Sequence, residues 1–164
     1  MNLNNNTKQT AQMLSDRIKL TKVRKKDYRF VFNLVKDFLE SNLSVTYLEI
    51  PTFDRFCKDY FKDKKIYIVL YNSKRCGTVN INNNEIGYML LPTFRRKGIA
   101  VNAVRELIKQ HPRKRYFATI HNDNKRSINL IKKLGFYPKG TIYEKIGTKK
   151  RRRQKYGPRS YFAT

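Results

Sequence analysis

The sequence EIGYMLLPTFRRKGIAVNAVRELI, residues 85–108, joins a strand pattern to a helix pattern. Its beginning, 85–91, is mostly apolar and aromatic, which is typical of a buried strand. From Ile99 onward, apolar residues recur every three or four positions, which predicts a helix with one apolar face. Between the two lie three cations, Arg95, Arg96 and Lys97, and then Gly98. A strand therefore passes into a helix through a strongly basic loop.

This basic loop predicts an anion-binding site. A helix that begins at or near Gly98 leaves its first N–H groups without partners inside the helix, at the positive end of the helix dipole. Such a terminus can hold a phosphate, and a glycine lets the anion approach the backbone. With the added cations, the ligand that best suits this site is a pyrophosphate. The loop matches neither G-x-x-x-x-G-K-[ST] nor G-x-G-x-x-G, and taken alone it also fits a basic helix start on a solvated surface.

The rest of the chain alternates between strand and helix patterns, in the order β-α-α-β-β-β-α-β-α-β-β. Short polar turns join the three strands before the basic loop, which is typical of an antiparallel meander. A strand on each side of the helix after the loop implies a parallel crossover. We therefore predict a mixed, mostly antiparallel α/β sheet of six to seven strands with helices on both faces. The predicted strands are 17–23, 65–71, 76–81, 85–92, 115–120, one within 136–146, and 159–164; the predicted helices are 27–42, 51–65, 98–110 and 127–134.

Local signals set the ends of the predicted helices. Asp27 is a good N-cap for the first helix, and Asp123 or Asn124 serves the last one. Pro112 forbids continuation of the helix that follows the basic loop. Gly135 is suited to the left-handed residue that ends the last helix.

Length and composition bound the class of protein. A chain of 164 residues suits one domain, and we predict a disordered tail at 1–15 followed by a single domain at 16–164. No run of 18 apolar residues and no apolar leader is present, so we expect neither a membrane span nor a secretory signal. Cys57 and Cys76 are too few for a disulfide framework, and we expect both to be reduced in a cytoplasmic protein.

The charge is large and unevenly placed. The net charge is +25, and residues 95–164 hold 21 of the 37 Lys and Arg residues but three of the 12 Asp and Glu residues. Such an excess is typical of a protein with a polyanionic partner, such as nucleic acid, a ribosome or an acidic protein. The alternative is that the charge only keeps a small protein soluble.

Two motifs together resemble a known family. The sequence RRKGIA, residues 95–100, after the strand that ends YMLLP, resembles the acyl-CoA binding motif of the GNAT superfamily of N-acyltransferases. Further on, NDNKRSINLIKKLGF, residues 122–136, is similar to the second GNAT motif, a helix beside the CoA followed by a Gly-Phe turn. The pattern EIGYMLLP is closest to the branch that acetylates ribosomal-protein N-termini. One departure is Arg96, where glycine is common in the family.

The resemblance implies a GNAT fold in which acetyl-CoA is the co-substrate and no metal takes part. The strand 85–91 would splay away from the parallel strand 115–120, and the pantetheine arm would lie in the gap. The pyrophosphate would lie on the N–H groups after the strand, and the second motif would face the arm. The implied cofactor-binding residues are Met89, Leu90, Leu91, Arg95, Arg96, Lys97, Gly98, Ile99, Ala100, Val101, Asn124, Ser127 and Lys133. The alternative for Lys133 is that it is a solvated surface lysine that does not bind the cofactor.

The resemblance also implies direct attack of an amine on the thioester, with no protein nucleophile. The N–H of Leu90 or Leu91 would polarise the carbonyl. Glu85, the first residue of the strand, is the candidate general base, and the alternative is that it is a counter-ion in a basic region. Many family members place a tyrosine general acid where this chain has Ile131, so either the thiolate leaves without that acid or another tyrosine, such as Tyr137 or Tyr143, replaces it.

The two histidines carry little functional signal. His111 and His121 have no cysteine or acid at ligand spacing, so we expect no metal site. His121, at the end of the predicted parallel strand, fits a structural role or a minor role in proton transfer.

The acceptor is the least determined part of the prediction. A protein or peptide amine, at an N-terminus or a lysine, agrees with the resemblance around Glu85. An alternative acceptor is nucleic acid or the amino group of aminoacyl-tRNA. The chain would contact this acceptor, or the ribosome, through the basic segment from Lys149 to Arg159, which has aromatic residues nearby. A third is a non-catalytic binding module. The charge argues against polyamines and aminoglycosides, and the oligomeric state is not readable from the sequence.

Overall fold

The computed structural model of the chain describes residues 17–41 and 50–140. Four antiparallel strands form one sheet in the order β1-β2-β3-β4. They are β1 Ile18–Lys22, β2 Lys65–Tyr71, β3 Lys74–Asn82 and β4 Glu85–Leu90. Within these described ranges, no helix combines the length and apolar character needed to cross a membrane.

Four α-helices pack on this sheet, and two 3₁₀ turns precede α1 and α3. The helices are α1 Tyr28–Ser41, α2 Phe53–Asp59, α3 Ile99–Gln110 and α4 Lys125–Lys133, and the 3₁₀ turns are Lys25–Asp27 and Pro92–Phe94. The cap of α2 is Thr52, whose hydroxyl accepts the N–H of Arg55 at 3.4 Å. The predicted cap Asp27 instead closes the first 3₁₀ turn, where its carboxylate accepts the N–H of Arg24 at 3.0 Å.

The helices lie on both faces of the sheet, as predicted, and each face has its own apolar core. On one face, α3 and α4 pack on alternate residues of β3 and β4, with the core residues Val79, Ile81, Ile86, Tyr88, Leu90, Ile99, Ala103, Val104, Leu107 and Ile131. On the other face, α1 and α2 pack on the remaining positions, with the core residues Val31, Leu34, Val35, Leu39, Phe56, Tyr60, Ile66, Ile68 and Met89. The sheet is therefore buried on both sides.

The prediction of six to seven strands is wrong for the described residues, where four form. The predicted parallel strand 115–120 makes a single bridge to β4, between Phe117 and Glu85. There Ile86 N–H donates to Phe117 O at 2.8 Å, and Phe117 N–H donates to Asn84 O at 2.8 Å. The composition of a segment predicts its strand conformation, but it does not show whether the adjacent strand stays within hydrogen-bonding distance. The last two predicted strands lie wholly or mostly at 141–164, outside the described residues, as does the tail 1–15.

A β-bulge in β3 interrupts its pairing with β2. Val69 of β2 pairs with Gly77 and Leu70 pairs with Arg75, so Cys76 is the extra residue. Its thiol donates to Val69 O at 3.2 Å, and burial raises its pKa to about 11. Both cysteines are free thiols in the structure.

Candidate active site

The basic loop is held by contacts at both ends. Pro92 begins a 3₁₀ turn in which Phe94 N–H donates to Leu91 O at 3.0 Å. The ring of Phe94 packs edge-on against Tyr71, with centroids 6.4 Å apart. Arg95 folds back, and its Nε–H donates to Leu90 O at 3.0 Å. The guanidinium of Arg95 is therefore fixed at the end of β4.

The backbone of the loop turns through two left-handed residues. Arg96 has φ 61° and Gly98 has φ 73°. Glycine adopts this conformation at no steric cost, whereas arginine is strained in it. The left-handed conformation explains why the resembling family often has glycine at this position, and Arg96 adopts it here at a steric cost. Residues 95–98 are all exposed, so their charges reach solvent.

The N-terminus of α3 presents unused donors beside these cations. Gly98 is the N-cap and has no side chain to satisfy them. The first helical hydrogen bond runs from Asn102 N–H to Gly98 O, at 3.3 Å. In the described part of the chain, no N–H from Arg96 to Val101 donates to a protein acceptor. A row of donors at the positive helix end, beside Arg95, Arg96 and Lys97, fits a pyrophosphate.

Beside the loop, the outer edge of β4 parts from residues 115–120. Leu91 N–H donates inward, to Cys76 O of β3 at 2.9 Å, while Ile86 N–H points outward to Phe117. Because backbone groups alternate along a strand, Tyr88 and Leu90 also point outward and Met89 points inward. Between residues 115–120 and β4, the described residues show no hydrogen bond beyond Ile86. Within the described ranges, the N–H group of Leu90 therefore faces a gap between β4 and residues 115–120.

The second motif borders this gap from α4. Asn124 caps α4, and its Oδ1 accepts the N–H of Ser127 at 3.0 Å. Ser127 is 1% exposed, and its hydroxyl has no hydrogen-bond partner among the described residues. The hydroxyl of Tyr88 donates to Ser127 O at 3.4 Å, which joins α4 to β4. Lys133 is exposed in the last turn of α4, where it reaches solvent.

Tyr88 was missed by sequence reasoning. Its ring is fully buried in the core under α3 and α4, and burial raises its pKa to about 12, against a smaller lowering by the hydrogen bond to Ser127. The signal was present in the sequence, because the hydroxyl of a tyrosine within an apolar strand usually finds a hydrogen-bond partner when it is buried.

Glu85 begins β4 next to the point where the strand and residues 115–120 part. It is half-buried and pairs across the sheet with Asn82. Glu85 shares its side of β4 with Gly87 and Met89, since side chains alternate along a strand. Its carboxylate therefore belongs to the face of the sheet under α1 and α2.

The remaining candidates lie apart from this cleft. Ile131 is 8% exposed and packs in the core, so the usual tyrosine position is filled by an apolar side chain. Tyr137 is 73% exposed beside Lys139, and Tyr143 lies outside the described residues. His121 is exposed, and its Nδ1 lies 3.5 Å from Asp123 Oδ2. Within 17–41 and 50–140, no three His, Cys, Asp or Glu side chains are grouped to hold a metal.

His111 has a structural environment at the far end of α3. Its Nε2 lies 2.7 Å from the hydroxyl of Tyr67. Its carbonyl accepts the hydroxyl of Tyr116 at 2.9 Å, and that hydroxyl in turn accepts the N–H of Arg113 at 2.7 Å. These bonds fix the turn that leads to Phe117 and hence the single bridge to β4.

Comparison with solved structures shows the same architecture. The spermidine N-acetyltransferase from Vibrio cholerae, in complex with CoA and spermine, is 17% identical, with a TM-score of 0.63 over 80% of this chain and 88% of that one. RimL, a ribosomal L7/L12 alpha-N-protein acetyltransferase in complex with coenzyme A, is 18% identical, with a TM-score of 0.57 over 77% and 84%. An aminoglycoside acetyltransferase from an uncultured soil metagenomic sample, with sisomicin, is 11% identical, with a TM-score of 0.60 over 84% and 99%.

At these identities the likeness shows the fold, and the three proteins act on different acceptors. No curated protein sequence matches the chain significantly. A family model described as an acetyltransferase (GNAT) domain matches residues 17–137, which is most of the chain. The chain therefore belongs to the GNAT acetyltransferase family.

Proposed function

We propose that this chain is an acetyl-CoA-dependent N-acetyltransferase whose acceptor is a protein amine, at an N-terminus or a lysine. The observation that carries the proposal is the set of unused N–H donors from Arg96 to Val101, placed beside the outer edge of β4. Structural relatives that act on amines contain CoA or acetyl-CoA, which supports this cofactor.

The residues present fit acetyl-CoA, which would supply the acetyl thioester that the amine attacks directly. The donors of α3 with Arg95, Arg96 and Lys97 would bind the pyrophosphate. The outward-facing groups of β4 would bind the pantetheine arm in the manner of an added strand. The buried hydroxyl of Ser127, without a partner among the described residues, is a further group that such an arm would satisfy.

The carbonyl-polarising donor in this proposal is Leu90 N–H rather than Leu91 N–H. The sequence left both open, but Leu91 already donates to Cys76 O at 2.9 Å. Leu90 N–H points outward, and Arg95 holds the carbonyl of the same residue. A donor fixed in advance stabilises developing negative charge without reorganising, which is the main electrostatic contribution to acyl transfer.

Glu85 is the proposed base. The acceptor arrives as an ammonium ion at neutral pH and must lose a proton before or during attack. Strands rise about 3.4 Å per residue, so the Cα atoms of Glu85 and Leu90 are roughly 17 Å apart. This separation exceeds the reach of a glutamate side chain, so Glu85 takes the proton through a short chain of water molecules.

The choice of a protein amine rests on charge and on the pattern around Glu85. A protein with a net charge of +25 repels small polycations and attracts acidic partners. The same charge favours nucleic acid or aminoacyl-tRNA as a second candidate acceptor. The chain would contact it, with or without the ribosome, through residues 149–159, which lie outside those described.

The acceptor experiment uses cell extract treated with the purified chain and isotopically labelled acetyl-CoA. Protein and nucleic-acid fractions are then separated and analysed by mass spectrometry. The proposal predicts label on protein amino groups. Label confined to RNA would transfer the assignment to the second candidate, and no enzyme-dependent label in either fraction would refute both.

The base experiment compares Glu85→Gln with Glu40→Gln, a change at an exposed glutamate of α1. We expect Glu85→Gln to lose turnover most at low pH, where the amine is most fully protonated, and to keep the affinity for acetyl-CoA. The Glu40 variant should match the wild type. Equal turnover of Glu85→Gln and wild type at every pH would remove Glu85 from the mechanism.

A further inference from the structure

The two faces of the molecule differ in charge, although helices cover both. On one face, α1 and α2 together carry four Lys or Arg residues and four Asp or Glu residues. On the other face, α3 and α4 carry six Lys or Arg residues and one acid, Glu106. Surfaces that only keep a protein soluble intersperse charges of both signs. The uneven placement therefore indicates a function of the face that α3 and α4 form.

The six cations form one outward surface, which we call the basic helical surface. The apolar sides of α3 and α4 pack into the same core on the sheet, so the outer sides of both helices face away from it. All six residues are exposed. They are Arg105, Lys109, Lys125, Arg126, Lys132 and Lys133.

Among the described residues, none of these cations pairs with a carboxylate. On the opposite face, by contrast, the ammonium of Lys36 lies 3.6 Å from a carboxylate oxygen of Glu40. Glu106, the acid of the basic helical surface, accepts a hydrogen bond from Gln110 Nε2 at 2.9 Å. Cations that are close together repel one another, so an external anion would stabilise this surface.

The start of α4 adds to this repulsion. The positive end of the helix dipole favours acidic residues in a first turn, but the first turn of α4 contains Lys125 and Arg126 and no acid. Both cations therefore oppose the helix that carries them. Residues that work against local structure are expected where a function requires them, and a bound anion would offset their cost.

An exposed aromatic ring follows the basic helical surface in the chain. Tyr137 lies just after the Gly135 turn that ends α4, and it is 73% exposed. The ammonium of Lys139 lies 5.8 Å from the centroid of its ring. Exposed rings among cations suit single-stranded nucleic acid, because bases stack on the rings. RNA offers unpaired bases in its loops, which favours RNA over duplex DNA or an acidic protein.

We propose that the basic helical surface docks the enzyme on RNA, with its cations on the phosphates and Tyr137 stacked on an unpaired base. The proposal goes beyond acetyl transfer, because RNA is here a docking partner and not the acceptor. It is also independent of the alternative contact through residues 149–159. Lys133, which is also a candidate cofactor residue, stays unchanged in the variants that test this surface.

The binding test uses the full chain in saturating CoA, so that the basic loop is occupied, and a fluorescently labelled RNA hairpin with an unpaired loop. Two triple variants each lose three positive charges and keep residues 149–159. The surface variant combines Lys125→Gln, Arg126→Gln and Lys132→Gln. The matched control, with changes on α1, on α2 and directly after α2, combines Lys36→Gln, Lys58→Gln and Lys62→Gln. Fluorescence anisotropy then gives the affinity for the hairpin over a range of salt concentrations.

The surface variant should lose much of the salt dependence. Each cation on a phosphate contributes about 0.7–0.9 to the slope of log affinity against log salt, so we expect the slope to become shallower by about two. The control should keep a slope close to that of the wild type. The melting temperature of the surface variant should not fall, because Lys125 and Arg126 oppose the helix dipole. Tyr137→Ala should weaken hairpin binding about fivefold or more and leave the binding of fully paired RNA unchanged.

Equal slopes for the two triple variants would overturn the proposal, because the net charge and not this surface would then bind RNA. Poly-glutamate that binds as tightly as the hairpin would overturn it as well and assign the surface to an acidic protein. Acetyl transfer to a peptide amine, measured in parallel, should be the same in the surface variant and the wild type. RNA binding by a chain that acetylates no amine would refute the proposed function and keep the docking surface.

Discussion

Substitutions at the two left-handed residues of the basic loop should change the free energy of unfolding in opposite directions. Arg96 and Gly98 have φ of 61° and 73°. The left-handed conformation costs an L-residue roughly 1–2 kcal/mol, and replacing glycine by alanine recovers about 0.4–1 kcal/mol by restricting the unfolded chain. Gly98→Ala should therefore lower the free energy of unfolding by roughly 1 kcal/mol, and Arg96→Gly should raise it by a similar amount.

Both variants should weaken CoA binding, for different reasons. A methyl group at Gly98 stands where a phosphate would approach the backbone donors, so we expect at least about a 10-fold loss of affinity. Arg96→Gly removes one exposed cation, which is worth about 0.2–1 kcal/mol, up to about fivefold in Kd, and less at high salt. Lys97→Gln is the matched control, because it removes a neighbouring charge without changing a left-handed residue.

Thermal unfolding and calorimetric titration with CoA measure the two effects separately. A change of 1 kcal/mol shifts Tm by about 2–4 °C in a domain of this size. We expect Tm to fall for Gly98→Ala, rise for Arg96→Gly and stay constant for Lys97→Gln, while CoA affinity falls in all three. A Gly98→Ala variant with the melting temperature and CoA affinity of the wild type would show that neither the left-handed turn nor CoA binding depends on Gly98.

Three further predictions concern other sites. Ser127→Ala removes a buried hydroxyl without a partner among the described residues, so stability should be unchanged or slightly raised while CoA affinity falls; unchanged affinity would separate Ser127 from the cofactor site. Gly77→Ala would place a Cβ 2.1 Å from Met89 O and should lower stability to urea by roughly 1–3 kcal/mol, whereas Gly140→Ala, with open space around it, should not; equal stability of the two would contradict the packing described at the bulge. Burial lowers the pKa of His111, with Lys65 and Arg113 adding to the effect, so the folded state favours the neutral ring and should lose stability as pH falls through the ordinary pKa of 6.5. The Tm advantage of the wild type over His111→Gln should then be larger near about pH 8 than near about pH 5, and a difference independent of pH would show that His111 does not titrate on unfolding.

Local sequence signals predicted most of the described elements. The apolar periodicity after Gly98 and the predicted cap at Asn124 agree with α3 and α4, and Gly135 has the predicted left-handed φ, 83°. The strand predicted at 65–71 matches β2. These signals succeed because they depend on residues adjacent in the chain.

What the sequence did not predict depends on distant pairings. The register of β3 and β4 uses Leu91 N–H for the bond to Cys76 O and leaves Leu90 N–H facing outward, a choice that no pattern within 85–91 contains. Residues 115–120 have strand composition but bond to β4 at one point, because the two segments part beyond Ile86. The polar residues Asn80 and Asn82 alternate with apolar residues in the sequence of β3, but the strand register is needed to place Asn80 opposite Gly87 and Asn82 opposite Glu85.

The proposed acetyl-CoA site is tested most directly by NMR-detected hydrogen exchange of the backbone amides with and without acetyl-CoA. We expect acetyl-CoA to slow exchange at the amides of Arg96 to Val101 and at Leu90. The amide of Leu91 should exchange slowly in both states, because it already donates to Cys76 O at 2.9 Å. Unchanged exchange at Leu90 and along the start of α3 in saturating acetyl-CoA would contradict the site proposed for this cofactor.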